Sequence, residues 1–453
     1  MKLHTENKKL VNEKGEIFFY TADTAWELFH KLSFDEAKFF IDNRARKGFN
    51  VIQAVAVAEL DGLHTPTKAT NELPFSNLDT LEVNDNYFDY VRKVIEYANS
   101  KGIFIALVPM WGSYFVSNPE WGGKVAPVFD ADKAYKFLTY LSKKLNGTDL
   151  IWILGGDRPY ITDESKSVIV NMAKAIREQV GHDQLITAHT QGGRSIHDML
   201  DPYDYLDFIT WQSGHMGECY PSWRNTKSDY ERLDIPVLDA EPCYESHPIM
   251  NEYSFTRMDC GSRFTDFHVR RSAYWSVFSG GCGITYGCYG IWQMRQPEDD
   301  NKVIPESAAS AYKNDTIPYW YDSVDFPGSA QMGYLRKFIE SLPNNKTICP
   351  DDSLILSDNS NGSGHMAALT NKENSFIAVY VPEHTHLCVD ITKFDGKGFD
   401  IYWYDPRYNV KNFLSSGSSE TKFLNITSPI SNNDYVLSVS YTHLRAHETS
   451  LHL

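Results

Sequence analysis

The chain alternates short apolar runs with amphipathic stretches about eight times before residue 300. Each run is almost continuously apolar, as expected for parallel strands that are buried on both faces. The stretches between them have helical periodicity, and in SFDEAKFFIDNRARKG the pair Ser33 and Glu36 predicts a capping box. A βα unit repeated about eight times is the sequence form of a (β/α)8 TIM barrel. The eight predicted strands span residues 17–23, 49–56, 103–110, 150–157, 184–190, 207–214, 235–242 and 281–290.

The pattern changes after Leu342. Residues 349–440 contain short alternating strands separated by turn signals such as SDNSNGSG, FDGKG and YDPRYN, which predicts an all-β sandwich. We therefore expect an α/β fold, with a (β/α)8 TIM barrel catalytic domain over residues 1–345 and a small all-β sandwich over residues 346–440. Residues 441–453 carry no hydrophobic period and resemble translated sequencing-adapter sequence, which predicts a disordered, non-native tail.

Charge and aromatic content narrow the class of ligand. The 43 Lys and Arg residues against 59 Asp and Glu give a net charge of −16, which argues against nucleic acid or an anionic membrane as the main partner. Aromatic residues make up 14% of the chain, and flat aromatic faces are suited to stacking on sugar rings. These features favour an oligosaccharide or polysaccharide partner, and they predict nothing about the oligomeric state.

The sequence has no run of 18 apolar residues, which predicts no transmembrane helix. Its first residues, MKLHTENKKL, lack the apolar region of a secretory signal. The seven Cys residues show no paired CxxC spacing, which disfavours a disulfide framework and a zinc site. The expected compartment is therefore cytoplasmic by default, or periplasmic or secreted if the natural protein begins upstream.

Catalytic side chains of a β/α barrel come from the C-terminal ends of its strands. Paired carboxylates across a sugar-sized opening can hydrolyse a glycosidic bond without a metal or an organic cofactor. Asp157 ends the fourth predicted strand, after Gly155 and Gly156, whose missing side chains would leave room for a ligand. Glu241 ends the seventh strand, and Asp239 lies one layer deeper, where it would support Glu241.

Each of these assignments has a structural alternative. Asp157 could be a rim carboxylate paired with Arg158, although neighbouring strand residues should face opposite sides. Glu241 could be a buried ion-pair partner of Arg263 or Arg270. Glu59 is an alternative acid, in the loop ELDGLHTPTKATNELPF, which we expect to be long and solvated.

Four motifs together resemble one enzyme family. DTAWELFHKL, WILGGDRP, LDAEPCYE and YWYDPRYN are similar to segments of the DUF4038, or apiosidase-like, glycoside hydrolases of glycoside hydrolase family 140, and the resemblance covers nearly all of residues 10–440. It implies a TIM barrel followed by a β-sandwich described as collagen-binding. It also implies a catalytic Asp in the GGD segment and a catalytic Glu at strand seven, which correspond to Asp157 as acid/base and Glu241 as nucleophile.

The resulting hypothesis is a retaining O-glycoside hydrolase that acts on plant cell-wall, pectic glycan, with apiosidase activity as the named candidate. The predicted sugar-binding residues lie in or just after the predicted strands. For the Trp residues the alternative is core packing, and for His189 it is a hydrogen-bonded position at the barrel rim. The predicted sugar-binding residues are Asp23, Trp26, Gln53, Trp111, His189, Trp211, Tyr244 and Trp292.

Two other classes of protein are alternatives to a glycoside hydrolase. An aldolase or isomerase on the same barrel would need a Schiff-base Lys or a phosphate loop at a strand end, and none of the eight strand segments contains Lys. A non-catalytic glycan- or protein-binding module would use the aromatic-rich rim and the sandwich, but the presence of both Asp157 and Glu241 speaks against it.

Overall fold

The computed structural model describes residues 1–116, 127–200, 205–251, 262–300, 316–394, 398–418, 420–430 and 433–441. The predicted tail beyond Tyr441 lies outside the described residues. The strands of the N-terminal part are β1 (Leu3–Glu6), β2 (Lys9–Asn12), β3 (Tyr20–Thr24), β4 (Val51–Val57), β5 (Phe75–Asn77), β6 (Glu82–Val83), β7 (Phe104–Met110), β8 (Leu150–Gly155), β9 (Leu185–His189), β10 (Arg194–Ser195), β11 (Ile209–Gln212), β12 (Val237–Asp239) and β13 (Gly283–Tyr286).

Helices alternate with these strands and cover the sheet. They are α1 (Leu28–Lys31), α2 (Phe34–Arg46), α3 (Asp85–Ser100), α4 (Ala131–Lys144), α5 (Asp163–Val180), α6 (Ser222–Arg232), α7 (Asp266–Phe278), α8 (Tyr289–Trp292), α9 (Trp320–Ser323) and α10 (Pro327–Ser341). The predicted capping box at the start of α2 is confirmed, because Ser33 accepts from the backbone N–H of Glu36 and the Glu36 carboxylate accepts from that of Ser33.

Each of the eight predicted strand segments overlaps one strand, and the eight strands are β3, β4, β7, β8, β9, β11, β12 and β13. Six of them form one parallel sheet in the order β13-β3-β4-β7-β8-β9. Strands β11 and β12 pair in parallel in a second sheet, with β10 antiparallel on β11. Every residue of β4 and β7 is buried, as expected for a parallel sheet covered on both faces. The result is a half-barrel parallel sheet surrounded by helices.

The loop from Ala58 to Pro74, which was expected to be solvated, is partly buried. Leu63 is 3% exposed and Thr67 is 2% exposed. The buried carboxylate of Glu27 accepts a hydrogen bond from the backbone N–H of Leu60 at 3.0 Å. His30 reaches the same loop through its Nε2, 3.0 Å from the carbonyl oxygen of Thr65. The expectation of a solvated loop was wrong because polar groups of α1 and its N-terminal flank anchor it.

The C-terminal part is all-β, as predicted. A six-stranded sheet has the order β14-β15-β16-β21-β18-β19, and β17 pairs with β20 in a separate two-stranded sheet. Side chains of both sheets share one apolar cluster. The strands are β14 (Ile348–Pro350), β15 (Ala367–Asn371), β16 (Phe376–Val381), β17 (His386–Asp390), β18 (Phe399–Asp405), β19 (Val410–Gly417), β20 (Phe423–Thr427) and β21 (Tyr435–Tyr441).

A buried network joins the two parts. The guanidinium of Arg270 on α7 donates from Nε to the carboxylate of Asp434 at 2.9 Å, and both side chains are almost fully buried. Tyr274 stacks on Tyr380 with ring centroids 4.8 Å apart. The all-β part therefore packs against α7 through a buried ion pair and a stacked aromatic pair.

Candidate active site

Two carboxylates lie at equivalent positions past the C-terminal ends of two strands. Asp157 is two residues beyond the end of β8, and Glu241 is two residues beyond the end of β12. Glu241 is buried, Asp157 is partly exposed, and the charge of Glu241 acts on Asp157. The structure therefore brings together the two groups that the sequence predicted as catalytic.

The GGD turn that carries Asp157 has an unusual backbone. Gly155 has a φ of +87°, and a Cβ there would lie 1.9 Å from the hydroxyl oxygen of Tyr160. A Cβ on Gly156 would lie 2.6 Å from the ring of Trp111. The glycines thus make room for two protein side chains and not for a ligand, so the sequence-based explanation of them was wrong.

Asp157 itself has a φ of +39°, a left-handed conformation that Asp and Asn tolerate better than other residues with a side chain. Tyr160 stabilises this turn, because its hydroxyl accepts from the N–H of Gly156 at 2.7 Å and donates to the carbonyl oxygen of His189 at 2.8 Å. Non-glycine residues in such conformations concentrate at functional sites.

The charge state of Asp157 is set mainly by burial. Desolvation and the nearby charge of Glu241 raise the pKa of Asp157 to about 6, against the opposing effects of Arg158, His189 and His215. The guanidinium of Arg158 lies 3.6 Å from the Asp157 carboxylate. The expectation that these neighbours face opposite sides was wrong, because β8 ends at Gly155 and strand alternation does not extend into the turn.

Glu241 has the opposite environment. Burial alone would raise its pKa, but His189 and His215 outweigh burial and hold the pKa of Glu241 well below its ordinary value. Nε2 of His189 lies 3.1 Å from one carboxylate oxygen, and Nε2 of His215 lies 3.3 Å from the other. Of the two arginines suggested as alternative partners, Arg270 pairs with Asp434 instead.

His189, the last residue of β9, contacts both carboxylate segments. Its Nδ1 accepts a hydrogen bond from the backbone N–H of Asp157 at 3.2 Å. An Nδ1 that accepts carries no proton, so the ring N–H lies on Nε2, which is 3.1 Å from the carboxylate of Glu241. Because both nitrogens face protein atoms, the geometry supports a role for His189 in positioning the two carboxylates; sugar binding by His189 stays a prediction.

Aromatic side chains form the floor of the site. Trp26 and Trp111 pack with ring centroids 5.4 Å apart, and Trp26 also meets the ring of His189 edge-on at 5.6 Å. Tyr244 is 2% exposed, and burial together with the charge of Glu241 raises the pKa of its hydroxyl well above its ordinary value. Tyr244 is therefore a neutral hydrogen-bond donor beside Glu241. Stacking of Trp26 or Trp111 on a sugar stays a prediction.

Asp23 and Gln53, two further predicted binding residues, are fully buried and bind other parts of the protein. Asp23 pairs with Arg44 of α2, because alternation along β3 directs it toward the helices. The amide nitrogen of Gln53 donates to Thr24 and to the carbonyl oxygen of Ala240.

Two predicted tryptophans are also buried. Trp211 is fully buried and donates to Thr226 at 3.1 Å, and Trp292 is 8% exposed. These positions support structural roles for Asp23, Gln53, Trp211 and Trp292, and their sugar contact remains a prediction.

The sequence analysis did not identify His215, Tyr160 or Ser213. Ser213 donates from its hydroxyl to Asp239 at 2.7 Å, and burial raises the pKa of Asp239 to about 7, with the charge of Glu241 adding to it; support of Glu241 by Asp239 stays a prediction. The available signal for His215 was its position three residues after the end of β11, next to the strand that leads to Glu241. Its contact with Glu241 depends on how the two loops meet, which no local pattern encodes.

One carboxyl that holds a proton near pH 6 and a second that stays ionised are the two groups that glycosidic hydrolysis requires. On a parallel α/β sheet, at the C-terminal ends of its strands, such a pair is typical of glycoside hydrolases.

Comparison with known proteins agrees with this class. Residues 4–346 match the family model "Apiosidase-like, catalytic domain", and residues 349–440 match "Putative collagen-binding domain of a collagenase". The chain belongs to the apiosidase-like family and is a glycoside hydrolase. No curated protein matches it.

Solved structures show the same architecture over nearly the whole chain. A structure described as "Glycoside hydrolase" is 26% identical, with a TM-score of 0.82, over 98% of this chain and 97% of the other. A glycoside hydrolase family 5 structure from Bacteroides vulgatus ATCC 8482 is 24% identical, with a TM-score of 0.82, over 97% of this chain and 93% of the other. At that identity the second likeness concerns the fold alone.

Two further features are absent from the described residues. No helix there is long and apolar enough to cross a membrane. No group of three or more His, Cys, Asp or Glu side chains in the same part of the chain is arranged to hold a metal ion.

Proposed function

We propose that this enzyme is a retaining O-glycoside hydrolase in which Asp157 is the acid/base and Glu241 is the nucleophile. The observation that carries the proposal is the contrast between the two carboxyls. Burial raises the pKa of Asp157 to about 6, whereas His189 and His215 keep Glu241 ionised. An acid and a nucleophile need these two opposite charge states.

The reaction has two steps. Asp157 donates its proton to the leaving oxygen while a carboxylate oxygen of Glu241 bonds to the anomeric carbon, which releases the leaving group. Asp157, now ionised, then removes a proton from water, which attacks the anomeric carbon and releases the sugar from Glu241. His189 positions both groups, because it touches the backbone of one and the carboxylate of the other.

The proposed substrate is a pectic plant cell-wall glycan, with an apiose-linked side chain as the named candidate. The match to the apiosidase-like family model supports this substrate class. Two polar atoms of the site also support sugar binding: Trp111 Nε1 and His215 Nδ1 are buried and have no hydrogen-bond partner in the part of the chain that the structure describes. Sugar hydroxyls would satisfy both of them.

We further propose that the eight parallel strands together form one closed (β/α)8 barrel. At one edge of the six-stranded sheet the backbone N–H of Asp207 donates to the carbonyl oxygen of Ile186 at 2.8 Å. At the other edge the backbone N–H of Cys282 donates to the carbonyl oxygen of Val237 at 2.8 Å. Both bonds lead to the sheet that contains β11 and β12. The proposed catalytic domain covers residues 1–345, and the proposed sandwich covers residues 346–440.

The pH dependence of kcat/KM tests the state of Asp157. The first step needs Asp157 protonated, so kcat/KM is expected to fall tenfold per pH unit above about pH 6, the pKa of this carboxyl. Glu241 should add no acid limb above about pH 4, because its pKa lies well below its ordinary value. A profile flat to pH 8 would contradict the assignment of Asp157.

The stereochemistry of the product tests the role of Glu241. If the carboxyls of Asp157 and Glu241 work about 5 to 5.5 Å apart, no water fits between Glu241 and the anomeric carbon, and the reaction retains configuration. A working separation of roughly 6.5 to 9.5 Å would admit a water and invert it. We expect proton NMR of the first-formed anomer, recorded before mutarotation, to show retention. An inverted product would remove Glu241 from the nucleophile role.

A further inference from the structure

We propose that Glu59 is a further substrate-binding residue of this site, and that its carboxyl group binds a hydroxyl of the sugar. The proposal rests on the proposed function and deepens it, because it assigns a third carboxyl to the recognition of the same substrate.

The first observation is the place of Glu59 in the fold. It lies two residues beyond the end of β4, just as Asp157 lies two residues beyond β8 and Glu241 two residues beyond β12. The charges of Asp157, Glu241 and Arg158 all act on its carboxyl. Because the C-terminal ends of parallel strands meet at one edge of a sheet, Glu59 belongs to the same opening as the catalytic pair.

The second observation is that Glu59 has no protein partner. Within the described ranges no hydrogen bond or ion pair reaches its carboxyl, and the residue keeps some exposed surface although burial is the main influence on its pKa. The neighbouring Glu27 differs, because its carboxylate contacts His30 at 2.8 Å and accepts from the N–H of Leu60 at 3.0 Å. Glu27 thus anchors the loop, whereas the carboxyl of Glu59 is available to hydrogen-bond a ligand that enters the cleft.

The third observation concerns the proton of Glu59. Burial raises the pKa of its carboxyl to about 8; Arg158 opposes this, while Asp157, Glu27 and Glu241 add to it. Tyr114, another ionisable neighbour, is neutral, since its hydroxyl donates to the carbonyl oxygen of Ala58 and burial raises its pKa well above the ordinary value. At pH 6 Glu59 is therefore a neutral acid that can both donate to and accept from a sugar hydroxyl.

Paired substitutions separate this role from a structural one. The isosteric change Glu59→Gln keeps a neutral donor and acceptor, so kcat/KM on an apiose-linked pectic oligosaccharide at pH 6 should stay within about 3-fold of wild type. Glu59→Ala removes both groups and should lower kcat/KM about 10-fold, mainly through KM. The matched control is Glu72→Gln in the same loop, whose carboxylate binds the Asn84 amide, and it should leave KM unchanged.

The pH dependence of kcat/KM is a second test, because a purely structural role of Glu59 would leave it unchanged. Above about pH 8 the wild-type enzyme should lose up to about 10-fold more kcat/KM than Asp157 alone accounts for, because Glu59 also loses the proton that it donates to the sugar. Glu59→Gln should keep the slope of tenfold per unit that Asp157 alone produces. The same pH profile in both proteins would overturn the proposal.

Two other outcomes would also overturn it. A Glu59→Ala enzyme with an unchanged KM and a lowered melting temperature would show that Glu59 only supports the loop. A Glu59→Gln enzyme that is inactive on the oligosaccharide while Asp157→Asn remains active would make Glu59 the catalytic acid. The proposed function fails differently, since wild-type enzyme would then release no sugar at all.

Discussion

Changing Glu241 to Gln is expected to lower kcat by at least about 10³-fold, because the amide cannot form the glycosyl-enzyme bond. The shape of the side chain is kept, so His189 and His215 should stay in place and circular dichroism should match wild type. The measurement is sugar release in the steady state beside a thermal unfolding curve. A folded Glu241→Gln enzyme with near wild-type turnover would rule out Glu241 as the nucleophile.

Glu245 offers a matched control for this experiment. It is also a buried carboxyl of the same segment, but it accepts from the hydroxyl of Tyr286 at 2.6 Å and from the N–H of Gly328 at 3.1 Å. Glu245→Gln should lower the melting temperature without a comparable loss of kcat. A second variant, Glu241→Ala, leaves a space in which added azide can attack the anomeric carbon, and azide should restore part of the activity.

Changing Asp157 to Asn is expected to lower kcat/KM by at least about 10²-fold on a glycoside with a poor leaving group, because the amide cannot donate a proton to the leaving oxygen. The left-handed backbone at Asp157, with φ +39°, is as acceptable to Asn as to Asp. The loss should therefore report on chemistry and not on strain in the turn.

The dependence on the leaving group identifies the step that Asp157 serves. A 2,4-dinitrophenyl glycoside needs no protonation to depart, so Asp157→Asn should retain the first step on it and release phenolate in a burst before slow hydrolysis of the intermediate. Asp61 has a φ of +62° and is exposed, so Asp61→Asn repeats the same backbone situation outside the site and should be silent. An equal loss on both kinds of glycoside would argue against an acid/base role.

Several features follow from local sequence patterns. All eight predicted strand segments overlap strands because a parallel strand buried on both faces must be apolar at nearly every position, as β4 and β7 are. The start of α2 is encoded by Ser33 and Glu36, which satisfy each other's backbone within one turn. The positions of Asp157 and Glu241 could also be predicted, because a strand end can be found from where an apolar run stops.

The opposite pKa shifts of Asp157 and Glu241 were decided only by the tertiary structure. His189 and Glu241 are separated by 52 positions, and their contact depends on how β9 and β12 and the loops that follow them are placed. The same dependence explains why the glycines of the GGD turn face Tyr160 and Trp111, and why Glu27 draws the loop after β4 inward. The sequence by itself determined which residues stand at the strand ends, since the end of an apolar run depends only on neighbouring residues in the chain. Which of them holds a proton was left to the tertiary structure, because desolvation and neighbouring charge are properties of the assembled site.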